Sequence, residues 1–232
     1  MLLTSPKALG EVLVSRSYDF EKPAKNRGFL RRLLGDGLVV TEGDVHKHQR
    51  KHMLPSFSFR HIKNLYPTFW AKSVELTTAL SDEVFGKDKS LDTYNPEYGV
   101  TDIGYWATKA TLDVIGVAGL GRDFDTLRNS DDELVQNYEE VTATTLELSI
   151  LFAASLLVPQ WLLRFIPGGV DKRFTIATDN LRRICRTFVR DKREVLKSGK
   201  DESIDVLSQL MKSNDFSDGE LVDQLLTIIA AG

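Results

Sequence analysis

Apolar side chains recur every three or four positions along most of the chain, the α-helical period, and alternation at period two is rare. Ser5 to Ser15 predicts a first short helix with Leu9, Val12 and Leu13 inward. The Pro-, Gly- and base-rich stretch from Lys22 to Gly37 predicts a loop, and Gly37-Leu38-Val39-Val40-Thr41 is the best candidate for a short strand. Asp44 is placed to cap a helix that runs to about Leu54 and is stopped by Pro55. Phe69, Leu76, Leu80 and Val84 mark a helix closed by Gly86, and 88–100 is turn-rich. Ile103, Ala107, Ala110, Val114 and Val117 predict the next inward stripe, and Leu134, Tyr138, Val141, Thr145 and Leu148 another. After a connection from Pro159 to Gly169, the rhythm returns in Phe174, Ala177, Leu181, Ile184 and Phe188. A short helix is predicted over about Ile204 to Lys212. Ser217 and Glu220 stand at capping-box spacing before a last helix through Leu221, Leu225 and Ile229 to Gly232. The fold class is mostly α. The apolar face is still running at Gly232, so that residue is not expected to be a domain boundary.

Composition adds that the chain is globular and not disordered: 42% of its 232 residues are hydrophobic and 27% charged. A single cysteine, Cys185, excludes an internal disulfide. The net charge of −3 hides an asymmetry. Residues 1–72 carry 13 Lys and Arg against 6 Asp and Glu, and the remainder 17 against 27. A basic end on an acidic body predicts an anionic partner there (a phosphate, a carboxylate, an acidic protein or a membrane face) or else a merely uneven surface. No nucleic-acid partner is expected. Met1-Leu2-Leu3 leads at once into Thr4-Ser5-Pro6-Lys7, which is not a signal peptide. The longest uncharged stretch, between Glu147 and Arg164, is too short and too interrupted for a span of roughly 20 residues.

The four histidines, His46, His48, His52 and His61, lie close together. A helix over 44–54 puts His46 with Arg50 on one stripe, Lys47 with Lys51 on a second and His48 with His52 on a third. The third stripe raises a zinc reading, but it lacks the further ligands a metal needs, so no metal site is expected. The first stripe pairs a permanently charged, fork-shaped donor with a second ring donor, which suits a carboxylate or a phosphate.

The run Gly43-Asp44-Val45-His46-Lys47-His48-Gln49-Arg50-Lys51-His52-Met53-Leu54-Pro55-Ser56-Phe57 resembles the C-helix segment of the cytochromes P-450. That family's pattern is Trp-x-x-x-Arg followed by a basic, apolar run into (Asn/Ser/Leu)-Pro-x-Phe. Arg50 matches the arginine, and His46 stands where Trp is commonest. Other segments are similar in order: Ser5 to Leu9 with Tyr18-Asp19-Phe20 resembles the A helix and its exit. Gly37 to Thr41 resembles the stretch before the C helix, Thr111 to Gly116 with Leu120-Gly121 the E helix, and Leu221 to Gly232 the start of the I helix. The sequence departs from the pattern where the I-helix motif stops after Ala231-Gly232. It contains no Glu-x-x-Arg and no cysteine loop, and Cys185 sits on a regular helix. The resemblance therefore implies a partial cytochrome P-450 domain over 1–232, truncated at both ends, from about the A helix to early I.

By that resemblance the complete protein is a haem-thiolate monooxygenase that inserts one oxygen atom from dioxygen into a small apolar substrate. It uses heme b, with NADPH supplying electrons through a reductase, on the cytosolic face of the endoplasmic reticulum membrane. His46 and Arg50 would bind a haem propionate. Lys47 and Lys51 would face the docking reductase. Leu38, Leu148, Phe152, Leu225, Ile229 and Ala230 would line the substrate pocket, and 156–166, with Trp161 at its middle, would touch the membrane. No catalytic residue is expected within the chain, and alone it is expected to be inactive. The alternative is a non-catalytic helical scaffold for an acidic partner or a membrane surface.

Overall fold

A computed structural model describes residues 2–85, 101–128, 132–142, 145–158, 160–163, 169–199 and 204–231. In order, the helices are α1 (Pro6–Gly10, continued by a π-turn over Glu11–Ser15), α2 (Ala24–Leu34), α3 (Gly43–Met53), α4 (Phe59–Phe85) and α5 (Ile103–Ile115, continued by a π-turn over Gly116–Leu120). They are followed by α6 (Glu133–Thr142), α7 (Leu146–Leu157), α8 (Gln160–Leu163), α9 (Val170–Lys197), α10 (Val206–Ser213) and α11 (Asp218–Ala231). Among the described residues there is no strand. The predicted turns over 88–100, the Gly86 stop and most of the Pro159–Gly169 connection lie outside the described residues.

The core gathers on α9 and α11. Phe174, Ala177, Leu181 and Ile184 are buried at the predicted spacing. α6 lies along them and contributes Leu134, Val135, Tyr138 and Val141 to the same cluster. α11 supplies Leu221, Val222, Leu225, Leu226, Ile228 and Ile229. Its start carries the predicted capping box. The Ser217 N–H donates to Glu220 Oε2 at 2.8 Å, and the Glu220 N–H donates to Ser217 Oγ at 3.3 Å.

Several expectations are corrected. The stretch read as loop, 22–37, holds α2: Pro23 stands just before the first turn, where its missing N–H costs nothing, and Gly35 at φ 63° ends the helix. The expected strand at Gly37–Thr41 is a turn, with the Val40 and Thr41 N–H groups donating to the Gly37 carbonyl. Asp44 does not cap α3; Glu42 occupies the cap position. Leu9 and Leu13 are not inward but 38% and 68% exposed. The predicted α5 stripe is only partly inward. Ala110 is buried as expected, but Ile103 is 62% exposed, and the helix also buries Lys109, Leu112 and Asp113. The reason is a salt-bridge cluster joining α4 to α5, in which Lys72 Nζ lies 2.7 Å from Asp123, 3.2 Å from Glu75 and 3.6 Å from Asp113. α4 also begins ten residues before Phe69 and passes through Pro67.

Candidate functional site

α3 presents three faces, as the spacing requires. Gln49 and Met53 are buried and fix its roll, which leaves His46 half-buried and Arg50 exposed. His46 Nδ1 lies 3.0 Å from the Tyr18 hydroxyl, with the two rings edge-on at 5.6 Å. Burial lowers the pKa of His46, and the nearby charges of Lys22 and Arg50 lower it further, against a smaller opposing effect of Glu42. The one acid close by is already engaged. Glu42 pairs with Lys22 at 2.7 Å and accepts its backbone N–H at 3.0 Å, which holds the Glu42 carboxyl below its usual range. The Arg50 guanidinium has no hydrogen bond or ion pair among the described residues, although its carbonyl accepts the Leu54 N–H. The site thus offers a free guanidinium fork and an imidazole one turn earlier, with no carboxylate of its own to spare. That donor set fits an incoming carboxylate.

The second stripe is more occupied than its spacing suggests. Lys47 pairs with Asp44 at 3.1 Å and lies 4.8 Å from the centre of the Tyr18 ring, while Lys51 is exposed. On the third stripe the His48 and His52 rings are 4.2 Å apart. His52 Nδ1 meets the His48 carbonyl at 2.8 Å, and Nε2 lies 3.6 Å from Asp215. Among the described residues no group of three or more His, Cys, Asp or Glu side chains is arranged to hold a metal ion.

Behind α3, the turn at 35–41 is fastened to both α3 and α11. Gln49 accepts from the Thr41 hydroxyl at 2.9 Å and donates to the Asp36 carbonyl at 2.9 Å. The Asp36 N–H donates to Asp223 at 2.9 Å, and the Leu38 N–H to Gln224 at 3.1 Å. Gln224 is fully buried, and its amide nitrogen has no partner among the described residues. This brings Leu38 against α11, half-buried on the core. Leu225 and Ile229 are core residues at 0% and 2% exposure, while Ala230 is exposed. On α7, Leu148 is half-buried and Phe152 is 41% exposed, its ring 5.1 Å from Phe29 of α2. Leu38 and the α11 residues thus share one neighbourhood, and Leu148 and Phe152 share another facing α2. A separate open groove of about 560 Å³ runs between α4 and α5, past Thr78, Glu83 and Trp106, and shares no residue with either.

Tyr18, Gln49, Asp223 and Gln224 were not singled out by sequence reasoning. For Gln49, Asp223 and Gln224 the available signal was polar side chains at apolar-face positions of two helices, next to a Gly-Asp-Gly run whose backbone needs partners; Tyr18 carried none.

A family model described as Cytochrome P-450 matches residues 1–232. The chain is 38% identical over 237 residues to cytochrome P-450 monooxygenase FUM15 of Gibberella moniliformis, and 35% over 236 to cytochrome P-450 monooxygenase sphH of Aspergillus fumigatus. It is also 34% identical over 254 residues to cytochrome P-450 monooxygenase ALT8 of Alternaria alternata. Each match covers 100% of this chain, but 39%, 42% and 42% of the respective relative. The chain therefore spans about two-fifths of the length of these curated relatives.

Proposed function

The chain belongs to the cytochrome P-450 family, and on that premise we propose that it forms part of a haem-thiolate monooxygenase acting on a small apolar substrate. The observation that carries the site assignment is the unpaired Arg50 beside half-buried His46, a donor pair fitted to a haem propionate. Haem with a thiolate ligand supplies the activation of dioxygen in such enzymes. Within this chain, Arg50 neutralises and grips the carboxylate, and His46 adds a neutral hydrogen bond to it. A buried carboxylate left without such partners is costly. Cys185 is not the thiolate. It is fully buried in the middle of α9, and burial pushes its thiol pKa up to about 12.

The remaining roles follow from placement. Leu38, Ala230 and the α11 face behind the turn border the substrate, with Leu148 and Phe152 closing its far side. Lys51, and Lys47 beside it, dock an acidic reductase that brings electrons from NADPH. The complete protein works at the cytosolic face of the endoplasmic reticulum membrane. Among the described residues no single helix is long and apolar enough to cross a membrane. Leu157, 77% exposed at the end of α7, supports a surface contact over 156–166.

The test uses the full-length protein. Arg50→Ala is expected to release haem to apomyoglobin roughly 10- to 100-fold faster than the parent, as loss of a charge-assisted hydrogen bond requires. An unchanged release rate would remove Arg50 from the propionate and sink the assignment.

A further inference from the structure

His46 takes one of two neutral forms, and the structure holds the group that decides between them. The only partner of Nδ1 among the described residues is the Tyr18 hydroxyl at 3.0 Å. Either Nδ1–H donates to the phenol oxygen and leaves Nε2 a bare lone pair, or the phenol O–H donates to Nδ1 and the ring's hydrogen sits on Nε2. The tautomer of a histidine is set by the hydrogen bond its other nitrogen makes.

Two features select the second form. The Lys47 ammonium sits 4.8 Å from the centre of the Tyr18 ring. It draws electron density out of the phenol and makes its O–H the better donor. Lys22 and Arg50 put positive charge around the imidazole, and Glu42 is tied to Lys22. A bare Nε2 lone pair would face any bound anion as a second repelling centre.

We propose that Tyr18 is a positioning residue that donates its phenolic hydrogen to His46 Nδ1, fixing the Nε2–H tautomer and turning that N–H toward the anion held by Arg50. The identity of that anion as a haem propionate rests on the function proposed above; the tautomer does not. Among the described residues, Tyr18, Lys22, Glu42 and Arg50 are the titratable or charged groups that act on the ring, and Lys47 lies over Tyr18. Burial and its cationic neighbours lower the His46 pKa, so the ring is neutral near pH 7. Acidification protonates Nδ1, and the Tyr18 hydroxyl must then turn from donor to acceptor.

The experiment is a two-bond ¹⁵N–¹H spectrum of the full-length protein labelled at histidine, at pH 7, with His46 assigned from the signal missing in His46→Gln. The expected spectrum shows His46 with Nδ1 unprotonated and Nε2 protonated. Tyr18→Phe keeps the ring under Lys47 and removes only the donor. It is expected to give mixed tautomers and to speed haem release roughly 2- to 10-fold, the net worth of one neutral hydrogen bond. An Nδ1–H tautomer in the parent, or a spectrum unchanged in Tyr18→Phe, overturns the proposal. The parent spectrum decides even if Tyr18→Phe folds poorly. If the tautomer responds to Tyr18 but the His46 signals are the same with and without haem, Tyr18 keeps its role and the propionate assignment falls.

Discussion

Lys72 has a side chain only 5% exposed and faces three carboxylates, of which Asp113 is fully buried and also accepts the Thr126 N–H at 2.8 Å. Burial pulls the lysine pKa down, but the hydrogen bonds it donates to Asp123 and Glu75 and the charge of Asp113 outweigh it, and the net shift is upward. While its carboxylate partners are ionised, a raised lysine stabilises the fold below its free value of 10.5, and that contribution is lost as pH rises through the higher folded value. Lys72→Met keeps most of the stem but strands the carboxylates. It should cost about 3–5 kcal/mol at pH 7, read from urea unfolding of the full-length protein. A midpoint equal to the parent's would mean that solvent already reaches Asp113. Cys185 makes the opposite kind of statement. A thiol with its pKa near 12 and no exposure should resist iodoacetamide at pH 8 in the folded protein and react only as fast as the chain opens. Prompt alkylation would show that α9 is not packed as described.

At the level of elements, the turn at 35–41 sits so close to α11 that its glycines have no substitutes. A β-carbon on Gly37 would lie 2.1 Å from Thr227 Oγ1 and 2.6 Å from the Asp223 carbonyl oxygen. Gly37→Ala must therefore push the turn off the helix and break the Asp36–Asp223 and Leu38–Gln224 bonds. We expect a loss of at least 2 kcal/mol, roughly one neutral and one charge-assisted hydrogen bond, in the same urea assay. The α11 cap titrates. Glu220 is held below its usual value of 4.5, first by the Ser217 backbone N–H and then by its hydroxyl. That contribution is present above pH 4.5 and is lost as pH falls below it. Glu220→Ala should weaken the fold by about 1 kcal/mol at pH 7, and the gap from the parent should close between pH 4.5 and lower values. A constant gap would assign the effect to packing. The cap was legible because its partners are three residues apart. The turn was not: Leu38, Val39 and Val40 read as strand, while the groups that fold them into a turn are Gln49, Asp223 and Gln224. α2 was hidden by Pro23 and Gly28. The glycine penalty of about 1 kcal/mol is offset by the Phe29 ring contacts and by the Arg32–Asp171 pair at 2.6 Å.

Across the whole molecule, the order of helices was readable from apolar period, but the side each one buries was legible only where it packs on another apolar stripe. α9 meets that condition and matched, and α6 matched through Val141, after which Thr145, expected inward, is exposed and caps α7. α5 matched only at Ala110, because a buried lysine and aspartate decide its roll. The α3 face with His46 and Arg50 could be drawn from spacing alone, whereas its support by Tyr18 requires contact across 28 positions. The bond from Asp36 to Asp223 reaches across 187 positions. At about 5–20 residues per second of synthesis, the turn waits roughly 10–40 s for its anchor to be made. Until then the turn has no hold on α11, and Arg31, which pairs with Asp36 of the turn, stands open to trypsin. Nascent chains halted before Asp223 has emerged should be cut there, and chains halted well after it should resist. For the translating ribosome, the last helix of this segment is the clasp that closes over one of its earliest.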